Sequence, residues 1–247
     1  MPDVTFHEQR TLDATAPTLI EGLPGTGLVA SIAVDQITEQ LGLDQYGRLG
    51  SEAIPPVASF ADGLVRDSVR VYAGADPDVM TLQSDVPIPP AAFHGLGECV
   101  LGDLCESFDR AVFVAGAPAE SEEERGEVTG VATTDAVRGD LRDADVQIAE
   151  GPGAVGGVTG ALASACDSAD VPAALLLVRA DPRLPDPAAA RSVVEDALEP
   201  LVEFAVDTGA LEERAERIQA EKEQLAEQLQ QLQDGGDTPR QAQTMFQ

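Results

Sequence analysis

The chain has no tryptophan, two histidines, three cysteines and a single lysine, Lys222. Cys99, Cys105 and Cys166 are odd in number and show no CxxC spacing. With only His7 and His94 beside them they make no metal-ligand pattern, so buried reduced thiols are expected, and no metal. The longest apolar run, Ala173–Val178, falls far short of the roughly 18 residues of a membrane span and suits a buried strand. The start, Met1-Pro2-Asp3-Val4-Thr5, lacks the basic and apolar regions of a signal peptide, so a cytoplasmic protein is expected. Neither GxSxG nor HExxH occurs. The residues nominate no catalytic group and no cofactor.

Acid is what the chain has in excess. Its formal net charge is −29, from 44 acidic and 15 basic residues, and all the basic residues but Lys222 are arginine. Such a surface repels nucleic acid and anionic membranes, so neither is an expected partner. The acids are spread along the whole chain, and aromatics make up only 4%. This resembles proteins of extreme halophiles, where concentrated salt screens the self-repulsion. An acidic docking surface for a basic partner is the alternative.

Hydrophobic residues make up 43% of 247 residues, enough for one sizeable core with an appendage. Strands are expected at Thr18–Glu21, Arg70–Ala73, Met80–Gln83, Arg110–Ala115, Glu127–Thr133, Val146–Ala149 and Ala174–Arg179. Helices are expected at Leu28–Leu41, Pro90–Glu106, Thr134–Arg142, Val158–Ala169 and Pro187–Val206. Val112-Phe113-Val114 and Leu175-Leu176-Leu177-Val178 are apolar without alternation, as in strands covered on both faces. The alternation of elements predicts a three-layer α/β/α domain with a mostly parallel sheet over residues 1–208. The glutamate-rich loop Pro118–Gly126 reads as a solvated excursion.

After Gly209 the period changes. Leu211, Ile218, Leu225 and Leu232 recur every seven residues, with Ala215, Lys222 and Leu229 at the other seam position. This predicts a C-terminal heptad helix over 209–233, either a self-associating coiled coil or a terminal helix that docks or projects. Asp234-Gly235-Gly236-Asp237-Thr238-Pro239 then makes a polar hinge within a tail, 234–247, that ends in the apolar-aromatic Met245-Phe246-Gln247.

Two glycine turns each join a strand to a helix. Gly22-Leu23-Pro24-Gly25-Thr26-Gly27 has the spacing of a phosphate loop, but Leu28 stands where that loop needs lysine. Gly151-Pro152-Gly153-Ala154-Val155-Gly156 is a formal GxGxxG, although Pro152 removes one N–H donor. Each turn is either a sharp structural connection or an anion or nucleotide site at a helix N-terminus.

Four segments resemble the proteasome assembly chaperone 2 family in its archaeal form: Gly22–Val29, Ser51-Glu52-Ala53-Ile54-Pro55-Pro56, Gly156-Gly157-Val158-Thr159-Gly160-Ala161-Leu162, and Pro185-Asp186-Pro187-Ala188-Ala189-Ala190. The resemblance implies a fold similar to nucleoside phosphorylases without their preserved site. It also implies a homo-oligomer that assembles or binds the proteasome without catalysis. Relatives labelled ATP-grasp-like keep a nucleotide-dependent enzyme as the alternative. Activators and some chaperones of the proteasome end in a hydrophobic residue, tyrosine and any residue, which enter pockets between α-ring subunits. Met245-Phe246-Gln247 resembles that ending with Phe in place of Tyr, so the core particle's α subunits are the implied partner.

Overall fold

The computed structural model describes residues 4–12, 14–218 and 220. Lys222, Leu225, Leu229 and Leu232 of the seam, and Met245, Phe246 and Gln247, lie outside them.

The described residues build a nine-stranded sheet between helical layers. At its centre lie β7 (Asp78–Ser84), β2 (Thr18–Gly22), β8 (Arg110–Pro118) and β11 (Ala173–Ala180), in that order and all parallel. All five residues of β2 are buried, because helices cover both its faces. The antiparallel strands β6 (Val69–Ala75), β3 (Asp44–Ser51) and β1 (Val4–Glu8) continue the sheet beyond β7. Beyond β11 lie β9 (Val128–Ala132), antiparallel to it, and β10 (Gln147–Ile148), parallel to β9. The sheet is therefore mixed, where a mostly parallel one was expected. The parallel part is confined to strands joined by helical crossovers, while β3, β6 and β7 follow one another closely and fold back antiparallel.

All seven expected strands are present. β1 and β3 were not expected, because Asp44-Gln45-Tyr46-Gly47-Arg48-Leu49-Gly50-Ser51 is too polar to read as core. Gly47 is needed there, since a Cβ would sit 2.4 Å from the Phe6 ring. A small second sheet, β4 (Ser59–Ala61) with β5 (Leu64–Arg66), stands apart as a hairpin.

One layer holds α1 (Val29–Gln40), α3 (Asp135–Asp143) and α5 (Pro187–Val193), packed on Ile20, Val112, Val114, Leu176 and Val178. The other holds α2 (Phe93–Cys99) and α4 (Gly157–Ser168), on Leu19, Met80, Phe113 and Leu175. Each fully buried Leu, Ile or Phe contributes about 1.5–3 kcal/mol. Local signals fix the helix starts: Thr134 Oγ1 accepts from Val137 N at 3.2 Å to cap α3, and Asp186 Oδ1 accepts from Ala189 N at 3.1 Å to cap α5. The helix expected to run to Val206 passes through a π turn, Val194–Leu198, and ends with α6 (Glu199–Val202), where Glu203 turns left-handed at φ 58°. Cys99 and Cys166 are buried.

Residues 209–218 are helical. Leu211, the first seam residue, is only 3% exposed and belongs to the core under α5, so its side chain is already covered within the chain. Ala215 and Ile218 are half-buried.

Candidate functional site

Open parallel sheets place their crevices at the carboxyl ends of the strands. Here the two glycine turns meet there, after β2 and before α4, around a cleft of about 450 Å3. Pro24, Gly25 and Thr26 form one wall, Ala154–Thr159 the other, and the ends of β8 and β11 the floor. Their meeting across the sheet was not evident from the sequence.

The turns do unequal work. Gly22 lies where a Cβ would meet Val34 at 2.5 Å, so it lets α1 pack on β2. Gly27 adopts φ 63°, and its carbonyl accepts from Asp186 N at 2.8 Å. Leu28 then enters α1 left-handed at φ 50°, partly exposed, in the place a phosphate loop reserves for lysine. The first turn is thus a packing connection. Gly25, by contrast, faces open space, as do Gly151, Gly153 and Gly156. Gly156 opens α4, and the first-turn N–H groups of a helix have no acceptor within it. The second turn is therefore the side of the cleft with anion-attracting character.

Two residues that sequence reasoning did not single out complete the site. Gly116 on β8 lets the Thr26 carbonyl come close, since a Cβ there would stand 2.1 Å from Thr26 O. Glu21, at the end of β2, is completely buried. Its Oε1 accepts from Leu23 N at 2.9 Å, and Thr159 Oγ1 donates to its Oε2 at 3.3 Å. Burial pushes the Glu21 carboxyl up to about 8, outweighing the hydrogen bonds from Leu23, Thr159 and Val114. Glu21 is thus largely protonated at neutral pH, one layer beneath a wall residue.

Outside the cleft, Asp186 clamps its frame. It is fully buried and accepts from Arg125 Nη2 at 2.7 Å, Arg125 Nε at 3.0 Å and Asp181 N at 2.8 Å. The hydrogen bonds from Arg125 and the backbone hold its carboxyl below the usual carboxylate range despite desolvation. The loop expected to be a solvated excursion is tied down through Arg125, though Glu122 on it is exposed.

Chemically the cleft offers backbone N–H groups, two threonine hydroxyls and apolar walls. Among the described residues lining it, none is ionisable. No group of three or more His, Cys, Asp or Glu among the described residues is placed to hold a metal. No helix among them is long and apolar enough to cross a membrane. The arrangement can hold a ligand through these backbone and hydroxyl groups.

A family model described as the PAC2 family matches residues 19–226, which takes in both glycine turns, Glu21 and the first turns of the C-terminal helix. The chain belongs to the PAC2 family. An uncharacterised protein of Methanocaldococcus jannaschii is 30% identical over 223 residues, 90% of this chain and 91% of that protein. The crystal structure of Pyrococcus furiosus PbaA, described as an archaeal homolog of proteasome-assembly chaperone, is similar with a TM-score of 0.82 at 25% identity, covering 99% of this chain and 100% of that one. P. furiosus PbaB, described as an archaeal proteasome activator, has the same fold, with a TM-score of 0.79 at 21% identity over 92% of this chain and all of the other.

Proposed function

We propose that this PAC2 protein is a non-enzymatic proteasome assembly chaperone or core-particle binding protein. It acts as a homo-oligomer and docks Met245-Phe246-Gln247 between α-ring subunits. The observation that carries this reading is the full-length similarity to PbaA, a homolog of proteasome-assembly chaperone. Docking would use an apolar side chain and an aromatic ring to fill a groove, while the terminal carboxylate pairs with a lysine of the ring. Leu225, Leu229 and Leu232, with Lys222 setting register, would hold copies together so that several hinged tails engage at once. The test is capture of purified core particle in molar salt by the full chain and by a chain lacking Met245–Gln247. The full chain should capture and the shortened one should not; equal capture removes the tail from the mechanism.

One observation favours a second reading, a nucleotide- or phosphate-binding enzyme. Gly25 and Gly156 line one cleft beside the N-terminus of α4. A saturable rise in melting temperature with a nucleotide or phosphate would support it. No rise at millimolar ligand would leave it without support.

A further inference from the structure

The hairpin of β4 and β5 is built to hold an apolar tip in water. Asp62 and Gly63 turn it at φ 50° and 79°, the left-handed pair of a tight two-residue hairpin turn. Its base is fastened to the domain. Arg66 Nη2 donates to Asp85 Oδ1 at 2.8 Å, Arg70 Nη1 holds the same carboxylate at 2.6 Å, and the Ser59 and Ser68 hydroxyls meet at 2.9 Å. Yet Phe60, Leu64 and Val65 are 74%, 74% and 78% exposed, with Phe60 directly opposite Val65. Phe60 and Val65 share one face of the ribbon and Leu64 lies on the other, and with Val57 they expose apolar surface on the order of 450 Å2, within the range of the largest and often functional patch on a soluble chain.

A groove of about 790 Å3 runs between α2 and α4. The helices approach closely at Gly97, where a Cβ would lie 3.4 Å from Ala165 Cβ, so the floor is small and apolar. Phe93 and Leu101 stand half-buried as its walls, and Ser164 lies exposed in it.

We propose that the hairpin of one copy seats in the α2–α4 groove of another, making a self-association contact independent of the C-terminal helix and tail. Charge favours a second copy as the occupant. On a chain of net charge −29, residues 57–65 carry one charge, Asp62, and the groove's one carboxylate, Glu98, has His94 at 3.4 Å. These near-neutral patches can be apposed without the like-charge repulsion that acts between other acidic faces of two copies. Area agrees. The hairpin alone falls short of the roughly 800 Å2 per partner of a stable interface, but each copy contributes both a hairpin and a groove. The contact closes as a reciprocal two-fold pair, which puts two hairpin–groove contacts into one interface, where a head-to-tail ring would put one in each.

The test is the mass of the full chain in molar KCl by light scattering, at micromolar concentration. The C-terminal seam is removed first, with Leu225→Asp/Leu232→Asp in the full chain, and that chain should still self-associate. Adding Phe60→Asp/Val65→Asp, altered only at exposed positions, should make it a monomer that keeps its far-ultraviolet circular dichroism. Adding Ser164→Arg instead, which fills the groove without touching the hairpin, should also make it a monomer. A seam variant that is already monomeric overturns the proposal, as does a hairpin variant that stays associated. A Ser164→Arg chain that stays associated overturns the groove as the receptor. Core-particle capture through the tail is a separate readout, so failure of one does not entail failure of the other.

Discussion

Replacing Glu21 by glutamine removes one titration while keeping shape and the acceptor for Leu23 N. The wild-type carboxyl is fully buried, and burial raises it from 4.5 to about 8. The folded state therefore holds this proton more tightly than the unfolded chain does. Stability from the neutral carboxyl is complete below the unfolded value and is lost as pH rises from there through about 8. A shift of this size is worth about 5 kcal/mol in all, falling at about 1.4 kcal/mol per pH unit through the intervening range. Asp35 and Asp196 are also raised by burial, but they are common to both proteins and cancel in the difference. The assay is urea unfolding of wild type and Glu21→Gln in molar KCl at pH 5, 6, 7 and 8, extrapolated linearly to water. The variant should gain on wild type steadily, so that the gap at pH 8 exceeds the gap at pH 5 by several kcal/mol. Parallel stability profiles would show that Glu21 is not a buried proton holder beneath the cleft.

Asp186→Ala leaves Arg125 without its buried partner and uncaps α5, so a loss of roughly 3–5 kcal/mol is expected in the same unfolding assay. The carboxyls of Asp186 and Asp85 are held below their ordinary value of 3.8, so their stabilisation is present above that value and lost as pH falls through the folded pKa. Melting temperatures taken from pH 6 down to 2 should show this acid loss, reduced in Asp186→Ala. Gly116→Ala drives a Cβ into the Thr26 carbonyl and should cost about 1–3 kcal/mol, read as a lower urea midpoint. Under the proposed docking, Phe246→Tyr supplies the hydroxyl of the hydrophobic-tyrosine-any ending and should tighten core-particle binding by about 1 kcal/mol, roughly fivefold, in a titration.

The strands Val112–Val114 and Leu175–Val178 were legible in the sequence because burial on both faces removes polar alternation. β1 and β3 were not, since β1 is a sheet edge and β3 beside it is only partly buried, so neither needs an apolar run, and Gly47 serves a contact with Phe6 that only folding creates. The hairpin carried its Asp62-Gly63 turn signal openly, but three-residue strands are too short to show a period. Both glycine turns read as strand-to-helix connections. Their convergence at one cleft depends on β2 and β8 being neighbours, which is sheet order rather than local sequence. Glu21 read as the end of a strand, because its burial follows from α4 closing over it. Leu211 fits a heptad and also the domain core, and periodicity alone cannot separate a seam from a docked helix.

The central claim is that this PAC2 protein binds the proteasome core particle. It is tested most directly by sedimenting purified full-length chain with purified core particle in molar KCl. The account predicts that the chain moves into the core-particle boundary in a saturable amount. A chain that sediments alone at every ratio would contradict it.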